Sequence, residues 1–107
     1  MKSETFGEYI RRLREEKNLP LRKVAAQLDI DTSTLSKVER GDRPISIQYL
    51  SPLCEILFVE LKEIQIRFIA DTIHKNLGQL EFLLEGLEEA KKQIKKTKRL
   101  EFKRHIR

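Results

Sequence analysis

Cysteine and histidine are scarce in this chain: its 107 residues hold a single cysteine and two histidines. Cys54 lies among Leu53, Ile56 and Leu57, the setting of a small buried hydrophobe rather than of a nucleophile or ligand. His74 and His105 stand far apart, with no cysteine or carboxylate array at metal spacing around either, so no metal and no cofactor are expected. Catalysis by Ser-His-Asp, Cys-His or metal constellations cannot be assembled from this set, and no catalytic residue is expected. No stretch reaches the roughly 18 uninterrupted apolar residues of a membrane span, and the N-terminus lacks the apolar core of a signal peptide. A cytoplasmic protein without membrane association is expected, with length for one domain or for a domain with an extension.

What the chain does have is charge, unevenly spread beneath a net +5. Residues 1–59 hold ten basic and nine acidic side chains, and residues 60–90 hold three and seven. From Lys91 to Arg107 nine Lys or Arg stand against Glu101 alone. A basic tail of this kind reads either as a nucleic-acid contact or as a solvated helix end.

The densest signal lies between Leu21 and Gly41. Leu21, Val24, Ala25 and Leu28 fall at i, i+3, i+4 and i+7, one face of a helix. After Asp29-Ile30-Asp31, Leu35 and Val38 repeat an inward spacing and leave Thr32, Ser33, Thr34, Ser36, Lys37 and Arg40 for solvent or a ligand. Asp31 or Thr32 is a candidate cap, and Ala25 is small enough for the second helix to approach closely. Two short helices joined by a tight polar turn make a helix-turn-helix, whose second helix enters a DNA groove.

At these residues the chain resembles the Cro and phage-repressor family of helix-turn-helix regulators. The resemblance runs through Leu13-Arg14-Glu15-Glu16-Lys17-Asn18-Leu19, then Val24-Ala25, then Leu35-Ser36-Lys37-Val38-Glu39-Arg40-Gly41, and covers roughly the first 60 residues. It implies an all-α, five-helix repressor-like domain and a double-stranded DNA partner. On the outward side of the recognition helix, Thr32, Ser33, Ser36 and Lys37 would face base edges or adjacent phosphates, and Arg22, Lys23, Arg40 and Arg43 the backbone, with Thr34 also counted among the DNA-binding residues. It also implies an ion pair between Arg14 and Glu39, tying the first helix to the end of the recognition helix. Two positions depart from the family pattern. Leu21 stands where a Gln often opens the second helix, and Asp29 replaces the usual Gly of the turn; Asp tolerates the left-handed backbone such a turn requires. The Leu19–Ala25 opening and short helical C-terminus also resemble small regulators that accompany restriction-modification genes.

Elsewhere, Thr5 or Ser3 opens a first helix with Phe6, Ile10 and Leu13 inward, ending near Asn18, and Pro20 starts the second. Gly41-Asp42-Arg43-Pro44 is a loop, and Ser46 caps a fourth helix over about Ile47–Leu57, with Ile47, Leu50, Leu53, Cys54 and Leu57 inward and its start made irregular by Pro52. A fifth helix carries Leu61, Ile64 and Phe68 on one stripe and Ile66, Ile69, Ile73 and Leu77 on another. Beyond a break at Gly78, Leu80, Leu83, Leu87, Ala90 and Ile94 follow coiled-coil spacing. A DNA-binding domain over 1–70 and a helical dimerisation extension over 71–107 follow, with Ile66, Ile69, Ile73, Leu77, Leu80, Leu83 and Leu87 at a homodimer interface; a helix folded back on its own domain is the plainer alternative. The functional expectation is a sequence-specific regulator acting as a homodimer. An antitoxin, masking a protein partner with its C-terminal residues, is the alternative.

Overall fold

The computed structural model describes residues 4–105, so the alternative cap Ser3 and the terminal Arg107 lie outside the described residues. The described chain is all-α: α1 (Phe6–Glu16), α2 (Leu21–Gln27), α3 (Thr32–Arg40), a single 3-10 turn at Ile47–Tyr49, α4 (Leu50–Leu57), α5 (Leu61–Leu77) and α6 (Leu83–His105). Five helices make the repressor-like domain and α6 the helical extension, which is the expected fold class. The chain divides into two compact units, one ending at Thr72 and the other beginning at Ile73, with α5 running through the boundary.

Local chemistry sets the helix ends of the first unit. Thr5 closes a capping box on α1: its hydroxyl accepts from the Glu8 amide at 3.1 Å, while its own amide donates to the Glu8 carboxylate at 2.9 Å. Lys17 is the C-cap, and Asn18 takes a positive φ of 55°, so α1 stops two residues short of Asn18. Pro20 is the N-cap of α2 rather than its first residue. Gly41 ends α3 in the left-handed region at φ 82°, where a missing Cβ is an advantage.

Tyr9, Ile10, Val24, Leu35, Leu53, Leu57 and Ile64 are the deepest side chains of one core fed by α1 through α5. Gly7 is what brings α1 and α3 together, since a Cβ there would collide with the carbonyl oxygens of Val38 and Glu39. Along the seam between α1 and α5, Phe68 meets Phe6 edge-on at 5.4 Å, and Arg67 lies over the Tyr9 ring at 4.4 Å while donating to Glu4. Arg12 donates to Glu4 as well and holds that carboxyl below its ordinary range. The Tyr9 hydroxyl is buried without a hydrogen bond. Burial, with the nearby Glu63 carboxylate, pushes its pKa up to about 12.

Four expectations are corrected. Ile47 is 72% exposed, because residues 47–49 form the 3-10 turn and the α-helix begins only at Leu50, which leaves Pro52 in the first turn where its missing amide is harmless. Cys54 is half-buried rather than buried, and Leu61, expected inward, is 45% exposed at the first position of α5. Leu80 falls in the turn before α6 and so drops out of the helical seam.

Phe58 stands out for a reason that helical spacing does not reveal. It follows α4 in the left-handed region at φ 56°, a conformation costly for a bulky side chain, and is 82% exposed beside Lys17. No helix among the described residues is long and apolar enough to cross a membrane.

Candidate nucleic-acid interface

α2, the turn and α3 form the helix-turn-helix. Val24, Ala25 and Leu28 bury one face of α2, and the 1% exposure of Ala25 marks how closely the helices approach. Asp29 turns the chain at φ 57°, and the Ile30 amide donates back to the Ala25 carbonyl at 3.0 Å, closing α2. Asp31 occupies the N-cap position of α3, but its side chain makes no capping hydrogen bond; its carbonyl accepts from Leu35 instead. The carboxylate still lies at the electropositive helix end.

At 100° per residue, Thr32, Ser33, Ser36, Lys37 and Arg40 share one face of α3, and Leu35, Val38 and Glu39 share the buried one. Thr32, Ser33, Lys37 and Arg40 are exposed. Ser36 is half-buried because Arg40 leans across it: the Arg40 Nη1 donates to the Ser36 hydroxyl at 2.9 Å and its Nε to Asp42 at 3.2 Å. Thr34 sits off this face. It is half-buried and lines a hollow with Ile30, Val38, Arg43, Ile45 and Tyr49. Arg22 and Lys23 are exposed on the first turn of α2 and Arg43 on the loop after α3.

Arg14 and Glu39 meet. The Arg14 Nε and Nη2 donate to the two Glu39 carboxylate oxygens at 2.8 and 2.9 Å, and its Nη1 donates to the Leu19 carbonyl at 2.9 Å. The side chains are 12% and 5% exposed, so this bidentate pair is largely withdrawn from water, and the Glu39 carboxylate holds the Arg14 pKa above its ordinary value. One guanidinium thus binds α1, the loop before α2 and the end of α3.

The residues expected at a dimer interface fall into two groups. Ile66, Ile69, Leu77 and Leu80 are exposed, whereas Ile73, Leu83 and Leu87 are half-buried. Sequence reasoning missed Asp42, whose hold on Arg40 spans only two residues and follows no helical periodicity. Thr34 was separable from its neighbours by helical phase alone, since it lies on the far side of α3 from Thr32 and Ser36. Among the described residues no group of three or more His, Cys, Asp or Glu could hold a metal ion.

This fold, with the relatives that share it, is that of a DNA-binding transcriptional regulator. The helix-turn-helix family model matches residues 10–64, just over half of the chain, and the chain belongs to that family. Among solved structures it is similar to the clp gene regulator ClgR from Corynebacterium glutamicum, with 28% identity over 81% of this chain and 90% of that one and a TM-score of 0.55. It is similar also to SinR, the master regulator for biofilm formation, solved in complex with DNA, at 29% identity over 57% of this chain and 98% of that one, TM-score 0.51. A SinR protein/SinI protein complex shares the fold at 22% identity, over 85% of this chain and 99% of that one, TM-score 0.51. No curated protein matches.

Proposed function

We propose that this regulator binds a pseudopalindromic operator as a homodimer, each subunit laying α3 in a major groove. The observation that carries this is the outward face of α3, where exposed Ser33 and Lys37 stand on a helix held by the Arg14–Glu39 pair. Ser33, Lys37, Thr32 and Ser36 meet base edges or adjacent phosphates. Arg22, Lys23, Arg40 and Arg43 meet the backbone, with Arg40 exchanging Ser36 and Asp42 for phosphate. Thr34 contributes through the loop it supports. Residues 1–70 act as the DNA-binding domain and 71–107 as the dimerisation extension. The solved complex of SinR with DNA supports duplex binding by this chain through analogy.

Dimerisation is supported by apolar surface: Ile66 and Ile69 are 54% and 53% exposed, and burying a side chain of that size is worth about 1.5–3 kcal/mol before entropy is subtracted. The same surface, with the acidic balance of residues 60–90, suits a basic protein partner and keeps an antitoxin as the second reading. A restriction-modification role rests only on the small size, the Leu19–Ala25 opening and the short helical C-terminus.

Selection of bound duplexes from a random pool tests the proposal. A two-fold site is expected, and Ser33→Ala and Lys37→Ala should each change base preference by about 1–3 kcal/mol at one position of each half-site. Wild-type behaviour of both variants on the selected site and its single-base changes would refute the docking, and a monomer at micromolar concentration in sedimentation would refute the homodimer.

A further inference from the structure

The first unit, through Thr72, carries twelve basic and twelve acidic side chains, so the whole net charge of +5 belongs to residues 73–107. Five arginines of the first unit are already committed to carboxylates: Arg11 to Glu15, Arg12 to Glu4 and Glu16, Arg14 to Glu39, Arg40 to Asp42 and Arg67 to Glu4. A groove-reading domain with no net charge has little long-range attraction for phosphate, which normally supplies the sequence-independent part of DNA affinity.

The second half of α6 has the opposite character. Between residues 91 and 103 it carries seven Lys or Arg, all exposed, and none forms an ion pair among the described residues. At 100° per residue they fall within roughly 160° of arc, with Lys92, Lys96, Arg99 and Lys103 in a single row. Glu101, the acid of this stretch, lies seven residues from Ile94 and fourteen from Leu87, on the apolar side of the helix. A solvated helix end does not account for this arrangement. The helix dipole favours cations only in the last turn, and the row begins well before it. Glu88, four residues before Lys92, is not paired with it either.

We infer that this one-sided basic ridge of α6 is a second DNA contact, gripping backbone phosphates outside the groove-read site and supplying the attraction that the neutral first unit lacks. The row spans about 16 Å, the axial run of roughly five phosphates of one strand. Its ligand is polyanionic backbone, read without base specificity. The inference rests on the DNA-binding reading above.

The test uses the full chain on three duplexes: the selected site trimmed to its core, the same core with twenty added base pairs on each side, and a random-sequence duplex of the longer length. The combined Lys92→Gln, Lys96→Gln, Arg99→Gln, Lys103→Gln variant keeps good helix formers and removes the charge. It should bind the extended and random duplexes about tenfold or more weakly near 0.15 M salt, with the salt slope reduced by about one unit for each phosphate no longer neutralised. The trimmed core should change little, and a Lys92→Arg, Lys96→Arg, Lys103→Arg variant should match wild type. Unchanged affinity and slope on every duplex would overturn the inference, as would an equal loss on trimmed and extended cores, which puts the ridge inside the site. Capture of wild type by phosphatidylglycerol vesicles, lost in the Gln variant while DNA binding is intact, would overturn it in favour of a lipid surface. Binding of the random duplex alone, abolished by the Gln variant, would uphold the ridge and refute sequence-specific readout; no binding to any duplex would refute both.

Discussion

The two units of this chain solve different problems with the same secondary structure. The first pairs much of its charge within itself: a capping box, bidentate and bridging arginine pairs, and the Tyr9 ring beneath Arg67 hold five helices around a common core. In the second, α6 runs 23 residues, contributes nothing to the fully buried core, and leaves its cations between residues 91 and 103 without carboxylate partners among the described residues. Orientation of side chains against bases demands rigidity. Attraction to a backbone demands only charge, which a solvated helix supplies without a core of its own.

If that contrast is real, substitutions in the two units should differ in kind. The largest effect is expected from Glu39→Ala, which leaves the Arg14 guanidinium largely buried and unpaired: a loss of about 3–5 kcal/mol in denaturant unfolding of the first unit. A fully stable variant would mean that the pair is effectively solvated, and the first unit would no longer differ from the second in this respect. Next comes Tyr9. Its folded pKa is raised above the unfolded value near 10, so the unfolded state releases the phenolic proton first and stability should fall as pH climbs from about 10 toward 12. Tyr9→Phe should remove that part of the decline, on the order of 1–2 kcal/mol, and cost little at neutral pH because the hydroxyl has no hydrogen bond to lose. Parallel pH profiles for wild type and variant would sink this account. The smallest effect belongs to α6: a Cβ added at Gly86 meets nothing within 4 Å, so Gly86→Ala should raise helix stability by about 0.5–1 kcal/mol, seen in far-ultraviolet dichroism on heating, without moving the unfolding of the first unit. A drop in stability instead would show that Gly86 is packed against a neighbouring chain.

Legibility in the sequence divides along physical lines. Helix periodicity located the two short helices of the motif because Val24, Ala25, Leu28, Leu35 and Val38 repeat at helical spacing and are all buried. The left-handed turn at Asp29 was readable through the resemblance, which puts a Gly there, together with the tolerance of Asp for that backbone. Phe58 adopts the same conformation and was invisible, since a bulky side chain, here 82% exposed, gives no local reason to do so. Ile47 misled for a related reason: it continues an apolar spacing across a 3-10 turn whose geometry shifts the phase. The partner of Arg40 escaped notice because loop side chains obey no period, whereas Arg14 and Glu39 were linked by resemblance rather than by any pattern in their own spacing.

Gly7 carries a last consequence. Where it faces the end of α3, peptide lies on peptide, with no side chain between them whose rotamers could give way. A helix mounted in this fashion has no cushion. If α3 enters a major groove as proposed, a duplex of imperfect width or twist would find little give between α3 and α1, and the duplex would have to deform instead. Stiffness of the protein would thereby turn base-step flexibility into selectivity, at positions that no residue of α3 touches.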